Sequence, residues 1–126
     1  MSNAGLNLGR TGEELAVAFL RRKGYKIIAR NYKTRLGEID IIASDADTLC
    51  FIEVKTRCSG RSGLPKESVT GSKQRQISKA AICFLKEKRS LDKKARFDVV
   101  SVRYREGEPE LDVLKNAFEL DERFSY

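Results

Sequence analysis

The feature of the sequence that most constrains its fold is a pair of apolar runs joined by a short polar turn. Residues 38–43 begin by alternating charged and apolar side chains, and residues 49–54 are the most apolar stretch of the chain. Between them, the Asp-Ala-Asp sequence at 45–47 is typical of a turn. The pattern predicts two neighbouring antiparallel strands, over residues 38–43 and 48–56.

The short turn fixes which residues of the two strands lie opposite each other. We take Ser44 and Thr48 as the pair that flanks it. With that pairing, Asp40 lies opposite Ile52, one position from Glu53. The sequence therefore predicts that two acidic residues, one from each strand, approach each other at the far end of the hairpin.

The remaining segments predict two helices and three further strands. Thr11 and Glu14 have the spacing of a capping box and begin the first helix. Apolar residues at i, i+4, i+7 and i+8 indicate the second helix. The predicted elements, in chain order, are helix 12–23, strands 25–33, 38–43 and 48–56, helix 72–88, and strands 97–104 and 110–115. This α-β-β-β-α-β-β order predicts an α/β fold with a mixed β-sheet flanked by helices.

The chain has the length of one domain, which we place at residues 9–118. Residues 1–8 are expected to form a flexible N-terminus, in which residues 2–4 resemble a cloning remnant, and residues 119–126 a C-terminal tail. Residues 57–71 are rich in Ser, Gly, Arg and Lys and predict a long loop with a functional role.

The charge of the chain points to a polyanionic partner. It has 25 Lys and Arg against 18 Asp and Glu, a net charge of +7, spread through ordinary apolar periodicity. This is typical of a folded basic protein and favours nucleic acid as its ligand. The chain has no histidine, which excludes catalytic triads and other mechanisms with an imidazole base, and disfavours a zinc site. Carboxylates, lysines and a hard metal ion remain for any chemistry.

The cysteines and the hydropathy pattern predict a cytoplasmic protein. Cys50, Cys58 and Cys83 are an odd number at unrelated spacings, which is typical of reduced thiols. No run approaches the ~18 apolar residues that a membrane span requires, and no signal-peptide pattern is present. We therefore expect no membrane partner.

Four charged residues interrupt the two central strands. Because alternate side chains of a strand share a face, Glu38 and Asp40 point one way while Ile39 and Ile41 point the other. Glu53 and Lys55 likewise share a face, with Cα atoms about 6.6 Å apart. Taken singly, each charge is typical of a solvated face. Together, within a buried strand pair, they require a cation or hydrogen bonds and indicate a site.

Glu13 is a further candidate because of its place on the first helix. Seven residues at 100° each bring it within about 20° of Leu20, so it faces inward near the helix N-terminus. An acid in the first turn is also favoured by the helix dipole alone, which is the competing interpretation.

Several short motifs, in this order and spacing, resemble the YraN-like family of small bacterial proteins from about Gly9 to Phe118. The motifs are Gly9-x-x-Gly12-Glu13-x-x-Ala16, Gly24-Tyr25, Arg30-Asn31-Tyr32, Gly37-Glu38-Ile39-Asp40, Phe51-Ile52-Glu53-Val54-Lys55-Thr56-Arg57, Lys73 and Arg96-Phe97-Asp98-Val99-Val100. That family is similar to the restriction-endonuclease-like PD-(D/E)xK nucleases, and within them looks most like archaeal Holliday-junction resolvases.

The resemblance implies a restriction-endonuclease-like fold and a metal-dependent endonuclease that hydrolyses branched or processed DNA in repair or recombination. It assigns metal binding to Asp40 and Glu53, makes Lys55 the lysine of the E-x-K element, and matches Glu13 to the helix-one acid of the resolvase branch, as a third metal ligand. Glu38 is expected to support these residues. Carboxylate ligands suit Mg²⁺ or Mn²⁺, which would polarise the phosphodiester and activate a bound water, while Lys55 orients that water or stabilises the charge of the pentacovalent phosphorus.

Basic residues in the flanking segments are expected to contact the DNA backbone; they are Lys33, Arg35, Arg57, Arg61, Lys66 and Lys73. Asp98 and Arg96 open a strand, and we expect them to pair with each other or to support the site from behind.

Two other functions fit the same sequence. One is a non-catalytic nucleic-acid-binding module that retains the nuclease fold, and the other is a basic scaffold protein bound to RNA or ribosomes. Intact Asp40, Glu53 and Lys55 favour the nuclease over both. Resolvase-like enzymes cut symmetrically with two sites, so the resemblance also implies a homodimer.

Overall fold

The structure is a computed structural model that describes residues 8–58 and 69–119. Its elements, in chain order, are helix α1 (Leu8–Arg22), strands β1 (Lys26–Lys33), β2 (Glu38–Asp45) and β3 (Thr48–Cys58), helix α2 (Gly71–Glu87), and strands β4 (Lys94–Arg105) and β5 (Glu108–Phe118). The predicted α-β-β-β-α-β-β order is confirmed. Neither helix within the described ranges is long and apolar enough to cross a membrane.

The five strands form one mixed sheet in the order β1-β2-β3-β4-β5. Neighbouring strands pair antiparallel except β3 and β4, which are parallel. A parallel pair needs a crossover connection, and α2 lies within that connection. The strand that carries Glu53 and Lys55 is therefore the centre of the sheet, as its apolar sequence predicts.

The sheet is covered by one helix on each face. On one face, α2 packs in a cluster that includes Ile39, Leu49, Phe51, Ile77, Phe84, Phe97 and Val99. On the other, α1 packs in a cluster that includes Ala16, Leu20, Ile41, Cys50, Ile52, Val100 and Val102. Alternate residues of β3 thus enter opposite clusters, so burying β3 holds all three layers together. Ile39 and Ile41 also belong to different clusters, so the predicted shared face for these two residues is wrong.

Helix α1 begins at Leu8 rather than at residue 12. Thr11 therefore lies inside the helix and does not cap it, so the predicted capping box is wrong. Gly9 and Gly12 have low helix propensity, which concealed the first turn. Packing requires glycine at position 12, because a Cβ there would collide with the Thr56 hydroxyl oxygen of β3.

The hairpin of β2 and β3 is one residue tighter at its turn than the sequence predicts. Asp45 pairs with Thr48, so the predicted Ser44–Thr48 pair is wrong by one position. Asp45 stays in the ladder because its side chain accepts hydrogen bonds from Arg96 and Lys115. Ala46 adopts the left-handed conformation that a two-residue turn requires, with φ 57°. In this register Asp40 lies level with Glu53 rather than with Ile52.

The other boundaries differ by a few residues at strand ends. β4 and β5 are longer than predicted because their turn is only Glu106-Gly107, with φ 53° and 80°. Pro109 then lies within β5, the edge strand, where its missing N–H is tolerated. Cys50 and Cys83 are free thiols, and the structure does not describe the side chain of Cys58.

Candidate functional site

The candidate site forms where β2 and β3 separate. The ladder between them ends at Ile41 and Ile52. Beyond that pair, the Asp40 carboxylate takes the place of a backbone acceptor, and the Val54 N–H donates to Asp40 Oδ2 at 2.8 Å. The bond fixes the Asp40 side chain across the split between the strands, beside Glu53.

Glu53 is the most buried acid of the site, with 6% of its side chain exposed. Its Oε2 lies 3.5 Å from Lys55 Nζ and 3.7 Å from Lys73 Nζ. Glu53 also adjoins Asp40, so one carboxyl group can donate a hydrogen bond to the other when it carries a proton. The site is thus two adjoining carboxyl groups with two lysines on one oxygen of the inner group.

Burial makes both inner carboxyl groups hard to ionise. Burial, and then the charge of Asp40, raise the pKa of Glu53 to about 7, although Lys73 and Lys55 oppose the change. Burial also raises the pKa of Asp40, against the opposing effect of the Val54 N–H. Two neighbouring carboxyl groups of this kind share a proton or take up a cation.

Glu13 approaches Asp40 from α1. Burial and then the charge of Asp40 raise its pKa, while Arg30 and the Asn31 side chain lower it. Glu13 Oε1 lies 4.0 Å from Arg30 Nη2, and 23% of the side chain is exposed. Close packing of Gly12 on Thr56 sets this end of α1 against β3.

Glu38 is the outermost acid of the group. It is exposed at the start of β2, and its charge raises the pKa of both Asp40 and Glu13. It lies close enough for an electrostatic effect on the site, as expected for a supporting residue.

The predicted trio of metal ligands, Asp40, Glu53 and Glu13, is not one compact group. Across residues 8–58 and 69–119, no three acidic, cysteine or histidine side chains are close enough together to hold an ion. Asp40 and Glu53 form a contacting pair, and Glu13 stands farther out. A pair still fits Mg²⁺, which typically takes one or two carboxylates and completes its shell with water and substrate phosphate.

The predicted backbone-contacting residues fall into three groups. Lys33 and Arg35 are exposed beside the β1–β2 turn, while Arg57 is half-buried on β3. Arg61 and Lys66 lie outside the described residues. Lys73 is in the first turn of α2, where its N–H donates to the capping Thr70 side chain, and its ammonium group is committed to Glu53.

Asp98 belongs to a different cluster, on the α1 face of the sheet. It is fully buried, and its carboxylate accepts from the Arg96 guanidinium, the Tyr25 hydroxyl and the Asn116 N–H at 2.9–3.0 Å. Arg96 Nη2 also donates to Asp45 Oδ2 at 2.8 Å. The predicted pairing of Arg96 with Asp98 is confirmed. Asp98 braces the C-terminal end of α1 rather than the carboxyl pair.

Sequence reasoning missed the direct contact of Lys73 with Glu53 and the position of Arg30 and Asn31 beside Glu13. No local pattern links Lys73 to Glu53, because the two meet only through the crossover. Arg30, Asn31 and Lys73 did carry a signal, since all three belong to the motifs of the family resemblance.

Comparison with known proteins gives a consistent result over most of the chain. The model of a family described as "Uncharacterised protein family UPF0102" matches residues 12–102, a range that contains Glu13, Glu38, Asp40, Glu53 and Lys55. A UPF0102 protein of Geobacter metallireducens is 52% identical over 120 residues, which cover 95% of this chain and 98% of the relative. One of Geotalea uraniireducens is 50% identical over 115 residues, covering 90% and 91%. One of Syntrophus aciditrophicus is 46% identical over 115 residues, covering 91% of each.

Proposed function

The chain belongs to the UPF0102 family, the YraN-like family that its motifs resemble, and we propose that it is a metal-dependent endonuclease that hydrolyses phosphodiester bonds in DNA. One observation carries the proposal: Asp40 and Glu53 adjoin where two central strands separate, with Lys55 and Lys73 on the same Glu53 oxygen. Buried acids with raised pKa values and paired lysines are typical of reactive sites. The resemblance to PD-(D/E)xK nucleases and archaeal resolvases supports this choice of reaction.

Asp40 and Glu53 are the residues that would hold Mg²⁺ or Mn²⁺, with Glu13 on the outer side. The two carboxyl groups supply hard oxygen ligands, and their mutual repulsion is relieved by a cation. When bound, the ion supplies Lewis-acid activation of the phosphodiester and of a water nucleophile. The chemistry of the donor set therefore fits the ion that the family resemblance implies.

The lysines complete the site by binding negative charge. Lys55 Nζ and Lys73 Nζ lie within 3.7 Å of Glu53 Oε2, from two separate elements. When substrate is bound, both ammonium groups can turn toward the phosphate that enters beside them. There they stabilise the charge that builds up on its oxygens during the displacement. About a third of each lysine side chain is exposed, so both remain within reach of a substrate.

Glu13 is placed to act on a proton. Burial and the nearby Asp40 raise its pKa, so the Glu13 carboxylate is a stronger base than an exposed glutamate. Arg30 holds it at the margin of the site. Glu13 therefore orients the water that attacks the phosphorus.

The basic surface supports recognition of the DNA backbone or of branch shape. Lys33 and Arg35 project from the β1–β2 end near the site, and neither helix carries the features of a major-groove reader. Binding should weaken steeply as salt rises. Two cuts across a junction need two sites, so we expect a homodimer on DNA, and light scattering that gives a strict monomer with and without DNA would contradict it.

Cleavage of labelled linear, flapped and four-way-junction DNA in Mg²⁺ or Mn²⁺ tests the proposal. The wild type is compared with Asp40→Asn and Lys55→Ala, and with Asp47→Asn and Lys94→Ala as matched controls. Asp47 and Lys94 form an exposed ion pair at the opposite end of the hairpin, with 73% of each side chain exposed.

We expect EDTA, Asp40→Asn and Lys55→Ala to abolish cleavage and both control variants to retain it. A wild type that binds DNA in a salt-dependent way but cuts none of the substrates would overturn the proposal. The non-catalytic binding module then replaces it, and comparison with RNA binding would test the scaffold alternative.

A further inference from the structure

The β1–β2 turn, residues 34–37, carries an apolar side chain at its tip. Leu36 is 50% exposed, one of three large apolar side chains that the described part of the chain leaves open to water. A single exposed leucine is ordinary on a protein surface. Its surroundings distinguish this one from Leu91, which is equally exposed.

The turn is held rigid by the Thr34 side chain. Thr34 Oγ1 accepts hydrogen bonds from the Leu36 N–H at 3.0 Å and the Gly37 N–H at 3.1 Å. The Thr34 N–H and hydroxyl both donate to the Gly37 carbonyl oxygen, at 2.8 and 3.0 Å. The backbone on both sides of Leu36 is therefore fixed, so little backbone entropy is lost when this residue binds a partner.

Contact with α2 fixes the turn relative to the candidate site. A Cβ at Gly37 would collide with the Gln76 carbonyl oxygen, so only glycine lets the turn rest this closely on the helix. Gln76 lies one turn after Lys73, which contacts Glu53. The turn that carries Leu36 and the carboxyl pair thus both contact the first turns of α2.

Along the chain, the exposed leucine lies between two basic residues and the candidate site. Lys33 and Arg35 are exposed on its N-terminal side. On its C-terminal side, four residues of extended chain lead to Asp40, a separation of at most about 13 Å. This distance is about four nucleotides of a DNA strand, at 3.4 Å per nucleotide.

We propose that Leu36 is a wedge that inserts between bases at a DNA step already unstacked by a branch, and that it selects branched over linear DNA. The inference rests on the proposed function and specifies its substrate. Apolar side chains that enter a base stack must overcome the cost of unstacking, which a branch point has already met in part. Lys33 and Arg35 hold the flanking phosphates while Leu36 enters. The scissile phosphate is then within about four nucleotides of the branch.

The test measures base unstacking without cleavage. Four-way-junction DNA carrying 2-aminopurine at the branch is bound in EDTA, and its fluorescence reports loss of stacking. The proteins are the wild type, Leu36→Ser, Leu36→Phe, and Leu91→Ser as the matched control at a side chain 52% exposed. Affinities for junction and linear duplex are measured in parallel.

We expect the wild type, Leu36→Phe and Leu91→Ser to raise the fluorescence, and Leu36→Ser to leave it unchanged. Leu36→Ser should lower the preference for junction over linear DNA roughly tenfold, the effect of withdrawing one leucine from a buried contact. Its affinity for linear duplex should be kept, because Lys33 and Arg35 are intact.

Unchanged fluorescence and preference in Leu36→Ser would overturn the wedge. Because neither readout needs cleavage, the two proposals fail separately. A wild type that unstacks the junction through Leu36 but never cuts DNA refutes the nuclease and keeps the wedge. A Leu36→Ser variant that cuts junctions as fast as the wild type refutes the wedge and keeps the nuclease.

Discussion

Glu53→Gln should stabilise the metal-free protein at alkaline pH although it removes a residue of the proposed active site. Glu53 is 6% exposed and adjoins Asp40, so its negative charge is costly when no cation is bound. Glutamine has the same shape, carries no charge, and can donate an amide hydrogen to the Asp40 carboxylate. The variant therefore removes a source of repulsion from the folded state.

The size of the effect follows from the raised pKa of Glu53. The difference between its ordinary value of 4.5 and about 7 corresponds to ~3 kcal/mol as an upper limit. That pKa already includes the opposing charges of Lys73 and Lys55, and the gain falls below this limit because water and local rearrangement relieve part of the repulsion in the folded wild type. We expect a net stabilisation of about 1–2 kcal/mol at pH 8.

The gain depends on pH in a defined direction. The folded state holds a proton on Glu53 up to about pH 7, whereas the unfolded state releases it near pH 4.5. The wild type therefore loses stability as the pH rises between these values. As the pH falls below 4.5, Glu53 becomes protonated in both states, and the advantage of Glu53→Gln should vanish.

Urea denaturation in EDTA at pH 4.5, 6 and 8 measures this difference. Asp47→Asn is the control, because Lys94 lowers the pKa of the exposed Asp47 and its loss should not stabilise the protein. Equal destabilisation by Glu53→Gln at all three pH values would refute the reasoning. Glu53 would then be an anion that the two lysines hold in place for structural reasons.

Three further predictions concern other parts of the molecule. Asp98→Asn should lower the free energy of unfolding by about 3 kcal/mol, because it removes the buried charge that accepts hydrogen bonds from Arg96, Tyr25 and the Asn116 N–H, and leaves the half-buried guanidinium with Asp45 alone; urea denaturation measures this, and a loss below about 1 kcal/mol contradicts it. Gly12→Ala should destabilise the protein through collision with the Thr56 hydroxyl, and adding Thr56→Ala should restore the melting temperature; no recovery in the double variant contradicts the contact. Lys73→Met should slow cleavage at saturating DNA at least tenfold while exposed Lys86→Met on the same helix leaves it unchanged; equal rates in single-turnover assays contradict a role for Lys73.

Local patterns predicted the elements well because helices and strands impose their own periods on the sequence. The hairpin of β2 and β3 is recognisable from its apolar runs, and that was enough to bring Asp40 near Glu53. The exact register was one residue off, because it depends on Asp45 contacts with Arg96 and Lys115 from distant strands. Such long-range contacts leave no period in the sequence.

The same reason explains what was missed at the site. Lys73 reaches Glu53 only after the crossover places α2 on the sheet, so the sequence predicted for it a contact with the DNA backbone and not one with Glu53. The start of α1 was predicted too late in the chain because glycine has low helix propensity. At position 12 glycine is required by the close contact with Thr56. The pairing of Asp98 with Arg96 was predicted from the sequence. Its burial beside Tyr25 could not be predicted, because the two residues meet only when the sheet and α1 pack together.

The rate of single-turnover cleavage of labelled four-way-junction DNA, followed while Mg²⁺ is titrated into EDTA-treated protein, tests the central claim most directly. We predict a saturable rise in rate for the wild type and for Asp47→Asn, and no cleavage at any Mg²⁺ concentration for Asp40→Asn. Cleavage that persists in Asp40→Asn with the same dependence on Mg²⁺, or a wild type that never cuts, would contradict the assignment of a nuclease site to Asp40 and Glu53.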